Sequence, residues 1–367
     1  MIAEKRLQDL IVDIAEGYKS ALSLKGNYND PFVALALAER HAATDADIEK
    51  AERIESIIKF LINEILSKPV SGETGRQLAA FQQRLGFLFK YKSYTIKCST
   101  LPGYSIFLHN AAEGFSFQRH ITHKTEAFHI LEVKEGGYVF ICEYADWQRI
   151  YDKTSFNAWL AGEQNATYDQ YKYEPEPGDF IVVDKLGTVH SVVGCVLEEY
   201  ATISTDMVDR LHDQNEGKQI PAHFNRDYAI RQLSKTSVPD RTRHVALENG
   251  ANDGKGVEIR PQKIRGGLRT VLLDSFLTAS LYQIDPRSQS EFFRSNSQAS
   301  VMFVSAGSGQ LLLGDSSEIS SMTPPATPIS RGETVLVAPG LNYGFSNEGS
   351  EPLKISEQRI QPEVSLL

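Results

Sequence analysis

Residues 116–133 read SFQRHITHKTEAFHILEV, and residues 177–194 read PGDFIVVDKLGTVHSVVG. Among the histidines and carboxylates in these stretches, the candidate metal ligands are His120, His123, Glu126 and His190. Imidazole and carboxylate groups together suit divalent iron, zinc, manganese, cobalt or nickel. Inward positions on neighbouring strands of a β-barrel converge, so a barrel would bring these four side chains together. The sequence therefore predicts one divalent metal ion bound by these four residues.

A β pattern extends on both sides of these stretches. From about residue 87, short runs rich in Val, Ile, Phe and Tyr alternate with Gly, Pro and Asp, as in antiparallel sandwiches and barrels. The same pattern returns over 257–358, which indicates an internal repeat at a spacing of roughly 170 residues. We predict a mainly β chain with two tandem barrels, over 87–225 and 226–367, after an α-helical region over 1–86, where apolar residues recur at helical spacing.

Two segments interrupt the β pattern. Residues 147–173 are polar and aromatic, and we expect a short helix and a loop over one barrel mouth. Residues 205–235 carry apolar side chains at helical spacing, and we expect a helical connection between the two barrels.

The two opening stretches resemble the two motifs of the cupin superfamily. The first match runs from Gly114 through the two histidines and Glu126 to Gly136, and the second runs from Pro177-Gly178 through Gly187 to His190. The resemblance implies jelly-roll barrels with a metal ion in the first. One departure is that His120 and His123 are three residues apart, whereas side chains two apart share a face of a strand. A bulge between the histidines would restore their convergence.

The second barrel is predicted to bind no metal. Aligning residues 301–309, VMFVSAGSG, on the strand that follows Glu126 places hydroxyl or cationic side chains at the ligand positions. The residues so placed are Ser300 for Glu126, Ser297 and Arg294 for the histidines, and Tyr343 for His190. Among the remaining histidines, alternation along the strand turns His129 away from the metal. We expect no metal ligation by His109, His212 or His223.

Charge and composition exclude several classes of function. The formal net charge is −9, and no run of basic residues is present, so we expect no nucleic-acid partner. No stretch of about 18 apolar residues exists, so we expect no membrane span. Charged residues interrupt the apolar positions near the N-terminus, which favours a cytoplasmic location over secretion. Cys98, Cys142 and Cys195 are widely spaced and are interpreted as buried thiols.

The first barrel is also similar to the cupin-type phosphomannose isomerases. In that family a Ser-x-Gln run precedes the histidines, as Ser116 and Gln118 do here, and a later segment carries Asp, Arg and Asp, as at Asp209, Arg210 and Asp213. The resemblance implies a metal-dependent isomerase that converts a sugar or sugar phosphate by enediolate chemistry. Arg210 would then clamp a phosphate. The general base is not identified, and the candidates are Lys124 and His212.

Two alternatives stay open at the level of sequence. Three or four nitrogen and oxygen ligands also suit a non-haem iron oxygenase or dioxygenase of a small molecule. A non-catalytic cupin that binds a small molecule is the other alternative, and an enzyme of either class is expected ahead of it. A small-molecule substrate is therefore the expected partner. Barrel edges that pair would give a homodimer, and the sequence leaves the oligomeric state open.

Overall fold

The structure is a computed structural model, and it describes most of the chain after residue 70. The described residues are 71–73, 75–76, 79, 88–90, 95–97, 105–110, 116–120, 126–183, 185, 187–201, 208–212, 236–247, 256–275, 277–295, 299–320 and 324–359. Most of the predicted N-terminal helical region therefore lies outside this description. Within the described ranges, no helix has the length and apolar character needed to cross a bilayer.

The first half of the described chain contains eleven strands joined in one sheet. They are β1 Leu88–Lys90, β2 Thr95–Lys97, β3 Ser105–Asn110, β4 Phe117–His120, β5 Glu126–Cys142, β6 Lys172–Tyr173, β7 Asp179–Val183, β8 Val189–Ala201, β9 Val208–His212, β10 Thr242–Val245 and β11 Val257–Ile259. Their order is β1-β2-β3-β8-β5-β7-β10-β11, with β4 paired to β8 and β9, and β6 paired to β5. The long strands β5 and β8 pair with different neighbours at their two ends, so each contributes to both layers of a barrel.

The second half contains a six-stranded and a five-stranded sheet. The strands are β12 Gln262–Ile264, β13 Gly267–Asp274, β14 Thr278–Ile284, β15 Ser288–Gln289, β16 Phe293–Arg294, β17 Ser300–Ala306, β18 Ser308–Gly314, β19 Ala326–Ser330, β20 Thr334–Val337, β21 Asn342–Asn347 and β22 Leu353–Arg359. One sheet has the order β12-β13-β14-β22-β17-β20, and the other has the order β15-β21-β18-β19 with β16 also on β21.

The two halves repeat one pairing scheme. The neighbours β3-β8-β5-β7 match β14-β22-β17-β20, and the neighbours β4-β8-β5-β6 match β16-β21-β18-β19. The register agrees as well, because Glu126 lies opposite Ala201 on β8, and Ser300 lies opposite Arg359 on β22. The prediction of a mainly β chain with two tandem jelly-roll barrels is confirmed. The boundaries at 86/87 and 225/226 stay predictions; β10 and β11, which follow residue 226, pair within the first sheet.

Three helices occupy the connection between β5 and β6. They are α1 Tyr144–Ile150, α2 Lys153–Leu160 and α3 Ala166–Asp169. Asp152 begins α2 by accepting a hydrogen bond from the backbone N–H of Ser155 at 2.8 Å, and this satisfies an otherwise unpaired donor. A fourth helix, α4 Ser316–Ile319, lies after β18 and begins with a capping box formed by Asp315 and Glu318.

The aromatic residues of α1 to α3 pack on the outer face of the first barrel. Trp147 and Phe156 form one buried cluster with Phe140 and Phe117. Val139, which precedes Phe140 on β5, belongs to a different cluster in the barrel interior. Successive strand residues point to opposite faces, so this cluster lies outside the barrel wall. The expectation that the segment covers a barrel mouth is therefore wrong. Its aromatic side chains are instead buried against the outer apolar face of the sheet.

The connection after β8 also differs from expectation. Residues 208–212, placed in a predicted helix, form β9 at the edge of β4. Arg119 and Asp209 lie opposite each other in this pair and form an ion pair of 3.0 Å. Cross-strand pairing thus outweighs the local helical spacing. The remaining residues of the predicted helical connection, up to 235, lie outside the described chain.

Candidate metal centre

Three side chains from three different strands meet inside the first barrel. His120 ends β4, Glu126 begins β5, and His190 lies near the start of β8. The Nε2 atoms of His190 and His120 are 2.6 Å and 3.3 Å from Oε1 of Glu126. One potential ligand atom from each residue lies within 4.8 Å of the other two, and all three residues are buried. The structure therefore brings together three of the four predicted ligands.

A backbone carbonyl on the far side of the ring fixes the orientation of His190. Its Nδ1 atom lies 3.1 Å from the carbonyl oxygen of Thr188, which can only accept, so Nδ1 carries the hydrogen. In the neutral ring, Nε2 then presents a lone pair to the carboxylate of Glu126. Two lone-pair atoms 2.6 Å apart repel unless a proton or a cation lies between them. A hydrogen bond from the remote nitrogen to a carbonyl is also the usual support of a metal-binding histidine, so the donor set fits a divalent metal.

The fourth predicted ligand, His123, lies outside the described residues and stays a prediction. Gln118 lies two residues before His120 and directly opposite His190, so the three share one face of the sheet. Gln118, expected only from the resemblance to isomerases, therefore lies beside His120 and His190. The two-residue spacing of Gln118 and His120 in the sequence indicates that both side chains lie on one face of a strand, because alternate residues share a face without a bulge.

The cluster opens on a small pocket. Its lining residues are Ser116, Gln118, Glu126, Phe128, His190, Ser191, Val192, Leu197 and Glu199. The empty volume is about 280 Å³ with the open solvent at its mouth included, so the enclosed space is smaller than that of typical small-molecule pockets (~300–1,000 Å³). Glu199, which the sequence does not single out, is a second carboxylate in this pocket. A pair of glutamates in the strand LEEYA carries no sequence signal that separates a pocket residue from an exposed one.

The remaining candidate residues lie in different places. His212 lies opposite Phe117 on β9, on the face that packs against the aromatic helices, so the structure does not bring it to the pocket as a base. Arg210 lies opposite Gln118, on the pocket face, and its side chain is exposed. Lys124 lies outside the described residues. His129 faces away from the pocket, as alternation predicts, and its Nδ1 lies 3.3 Å from Oε2 of Glu198.

Comparisons with known proteins add structural likeness and no family match. No family model and no curated protein matches the chain. Among solved structures, mannose 6-phosphate isomerase from Bacillus subtilis is 15% identical with a TM-score of 0.46, over 70% of this chain and 75% of that one. The S161A mutant of Bacillus subtilis oxalate decarboxylase is 12% identical with a TM-score of 0.42, over 74% of each chain. Vicilin from Corylus avellana is 12% identical with a TM-score of 0.45, over 76% of this chain and 84% of that one. Likeness at this level carries no argument about activity.

The repeated pairing scheme defines the fold of both halves. In the first barrel, side chains that can bind a metal lie on β4, β5 and β8. The chain folds into two tandem barrels that share one strand order. In the first barrel the loop before β8 makes a tight turn. Gly187 adopts φ of 77°, a conformation that other residues rarely take, three residues before His190.

The second barrel carries different side chains at the equivalent positions. The register places Ser300 at the position of Glu126 and Tyr343 at that of His190, as predicted. Because Phe293 pairs with Tyr343 as Gln118 pairs with His190, Ser295 takes the place of His120. The prediction of Arg294 at that place is wrong by one residue, since Gln118 and Glu126 are eight residues apart, whereas the equivalent Phe293 and Ser300 are seven apart. Ser297 lies outside the described residues.

A buried carboxylate occupies the second barrel near those positions. Glu357 accepts hydrogen bonds from Ser300 at 2.8 Å, Tyr343 at 2.7 Å and Tyr282 at 2.7 Å, and its Oε1 lies 3.4 Å from Nε of Arg359. Burial, together with this carboxylate, raises the pKa of the Tyr282 hydroxyl well above its usual value. Hydroxyl donors and a guanidinium therefore surround the carboxylate in the second barrel, where imidazole and carboxylate groups converge in the first.

Proposed function

We propose that the first barrel binds one divalent metal through His120, Glu126 and His190, with His123 as a further ligand, and that the protein is a metal-dependent isomerase of a sugar or sugar phosphate. The observation that carries the proposal is the buried His–Glu–His cluster on a small pocket that also holds Gln118 and Glu199. Iron, zinc, manganese, cobalt and nickel all accept this donor set.

The polar pocket residues support proton-transfer chemistry. When bound, a divalent metal would supply a Lewis acid that polarises the carbonyl of the substrate. The amide of Gln118 can both donate to and accept from a substrate hydroxyl, and so can orient it. The apolar side chains of Phe128, Val192 and Leu197 line the same pocket and limit the access of water. Ser116 and Gln118, which carry the resemblance to sugar-phosphate isomerases, both line this pocket.

The position of Arg210 supports an anionic substrate. Arg210 lies on the same face of the sheet as Gln118, one strand further out, and is exposed to solvent. A guanidinium there can bind a phosphate through two parallel hydrogen bonds while the carbonyl end of the substrate enters the pocket.

A non-haem iron oxygenase is the second candidate, and one observation favours it. Two histidines and one carboxylate match the three-ligand set that leaves positions open for dioxygen and substrate. The apolar wall of Phe128, Val192 and Leu197 is compatible with a small apolar or aromatic substrate.

Metal analysis and two assays separate the candidates. Protein purified without oxygen would be analysed for metal by plasma mass spectrometry and then reloaded with zinc, manganese, cobalt, nickel or iron. We expect one equivalent of metal and interconversion of an aldose and a ketose phosphate, from a panel that includes mannose 6-phosphate. Oxygen uptake with iron, and no isomerisation with any metal, would replace the isomerase by the oxygenase. Absence of bound metal after reloading would contradict both.

A further inference from the structure

Glu199 is a carboxylate of the pocket that the metal cluster does not include. It lies on β8 opposite Phe128 and is 8% exposed. Glu126 lies opposite Ala201, so Glu199 is its diagonal neighbour on the adjacent strand. Diagonal partners have Cα atoms about 7–8 Å apart, and long side chains span that distance. Glu199 therefore lies beside the cluster of ligands on the same inward face.

The second barrel has a glutamate, Glu357, at the position equivalent to Glu199. Glu199 lies opposite Phe128 as Glu357 lies opposite Met302, so the two glutamates are equivalent in register. Three residues that hold Glu357 are Ser300, Tyr343 and Arg359, and the register replaces them in the first barrel by Glu126, His190 and Ala201. The two hydroxyl donors are thus replaced by ligand-type side chains, and the arginine by a methyl group.

This replacement changes what the carboxylate can do. Glu357 is fully buried, whereas Glu199 lines the pocket next to Glu126 and His190. A carboxylate that faces a substrate pocket beside a metal site is suited to exchange a proton with the substrate.

We propose that Glu199 is the catalytic acid–base of the reaction. This inference rests on the proposed isomerase function and names its proton-transfer group. The carboxylate takes the proton from the carbon next to the substrate carbonyl, and the electrons of the broken C–H bond form the C=C bond of an enediolate. The carbonyl oxygen receives the displaced electron pair. Glu199 then returns its proton to the former carbonyl carbon, and a hydroxyl proton moves between the two oxygens, so no oxidant or reductant is required.

The test compares Glu199→Gln with the wild type and with Glu135→Gln, a substitution of an exposed residue of β5. Each protein would be loaded with the metal that supports isomerisation and assayed on the active aldose phosphate in deuterium oxide. We expect Glu199→Gln to keep one equivalent of metal and nearly unchanged KM, and to lose about 10²–10⁴-fold in kcat with the same loss of deuterium incorporation. Glu199→Asp should recover part of kcat, and Glu135→Gln should match the wild type.

The outcomes distinguish this inference from the function on which it rests. Wild-type protein that isomerises no substrate would contradict the proposed function and this inference with it. An active wild type whose Glu199→Gln variant keeps kcat within about tenfold would overturn the role of Glu199 alone. Loss of metal from Glu199→Gln would also overturn it, because the residue would then act as a ligand.

Discussion

Ser356 of the second barrel donates a hydrogen bond of 2.6 Å to Oε1 of Glu198 in the first barrel. Both residues are fully buried, and Glu198 also accepts from Tyr200 at 2.9 Å and contacts His129. Apolar residues of both barrels, including Phe180 and Phe303, surround this contact. Glu198 precedes Glu199, so the contact between barrels supports the strand that carries the pocket carboxylate.

Removal of the Ser356 hydroxyl should weaken the contact between the barrels. Ser356→Ala leaves one oxygen of a buried carboxylate without that donor, so we expect the free energy of unfolding to fall by about 1–3 kcal/mol. Chemical denaturation measures this change. Ser308→Ala, at an exposed strand position, is the matched control and should change the free energy by less than about 0.5 kcal/mol. Equal effects of the two substitutions would show that the contact contributes nothing to stability.

Loss of single ligands should remove the metal without unfolding the protein. Glu126→Gln and His190→Ala each take away one donor of the buried cluster, and we expect the bound metal to fall from one equivalent to well below it. His244→Ala, on β10 against Phe180, should keep the metal. Plasma mass spectrometry gives the metal content, and circular dichroism verifies the fold. Retention of a full equivalent in both ligand variants would refute the site, and His123→Ala decides the fourth ligand.

The sequence predicts the elements of this fold whose signals are local. Alternating apolar runs indicate the strands, and the placement of Ser300 and Tyr343 follows from the repeat. The pocket carboxylate and the strand at 208–212 are not predicted because both depend on pairing between segments that are distant in sequence. Whether Glu199 faces a pocket depends on its pairing with Phe128, and the strand at 208–212 depends on its pairing with β4. Neither partner can be read from the segment itself, so the pocket carboxylate and β9 appear only in the folded chain.

The buried carboxylate of the second barrel should be a determinant of stability and not of metal binding. Glu357→Ala removes the acceptor of three hydroxyl groups and the partner of Arg359, so we expect a loss of about 3–5 kcal/mol in the free energy of unfolding. The metal content should stay at the wild-type level. Glu351→Ala, at an exposed position, is the control and should be close to neutral. Loss of metal from a folded Glu357→Ala protein would contradict the separate roles of the two barrels.

Two buried thiols should make the protein less stable at alkaline pH. Desolvation raises the pKa of Cys142 and of Cys195 from 9.0 to about 12, and the nearby Asp146 carboxylate adds to the effect at Cys142. Above pH 9 the unfolded chain loses these protons and the folded chain keeps them, so stability falls as pH rises from about 9 to about 12.

The double variant Cys142→Ala and Cys195→Ala tests this dependence. Removal of both thiols should flatten the fall in the free energy of unfolding across that pH interval, whatever its effect on the value at pH 7. Denaturation at several pH values, with Ser308→Ala as the control, measures the slope. The native thiols should also react slowly with a thiol reagent at neutral pH, because only the thiolate attacks. Unchanged slopes and rapid labelling of Cys142 and Cys195 would show that these thiols ionise in the folded protein.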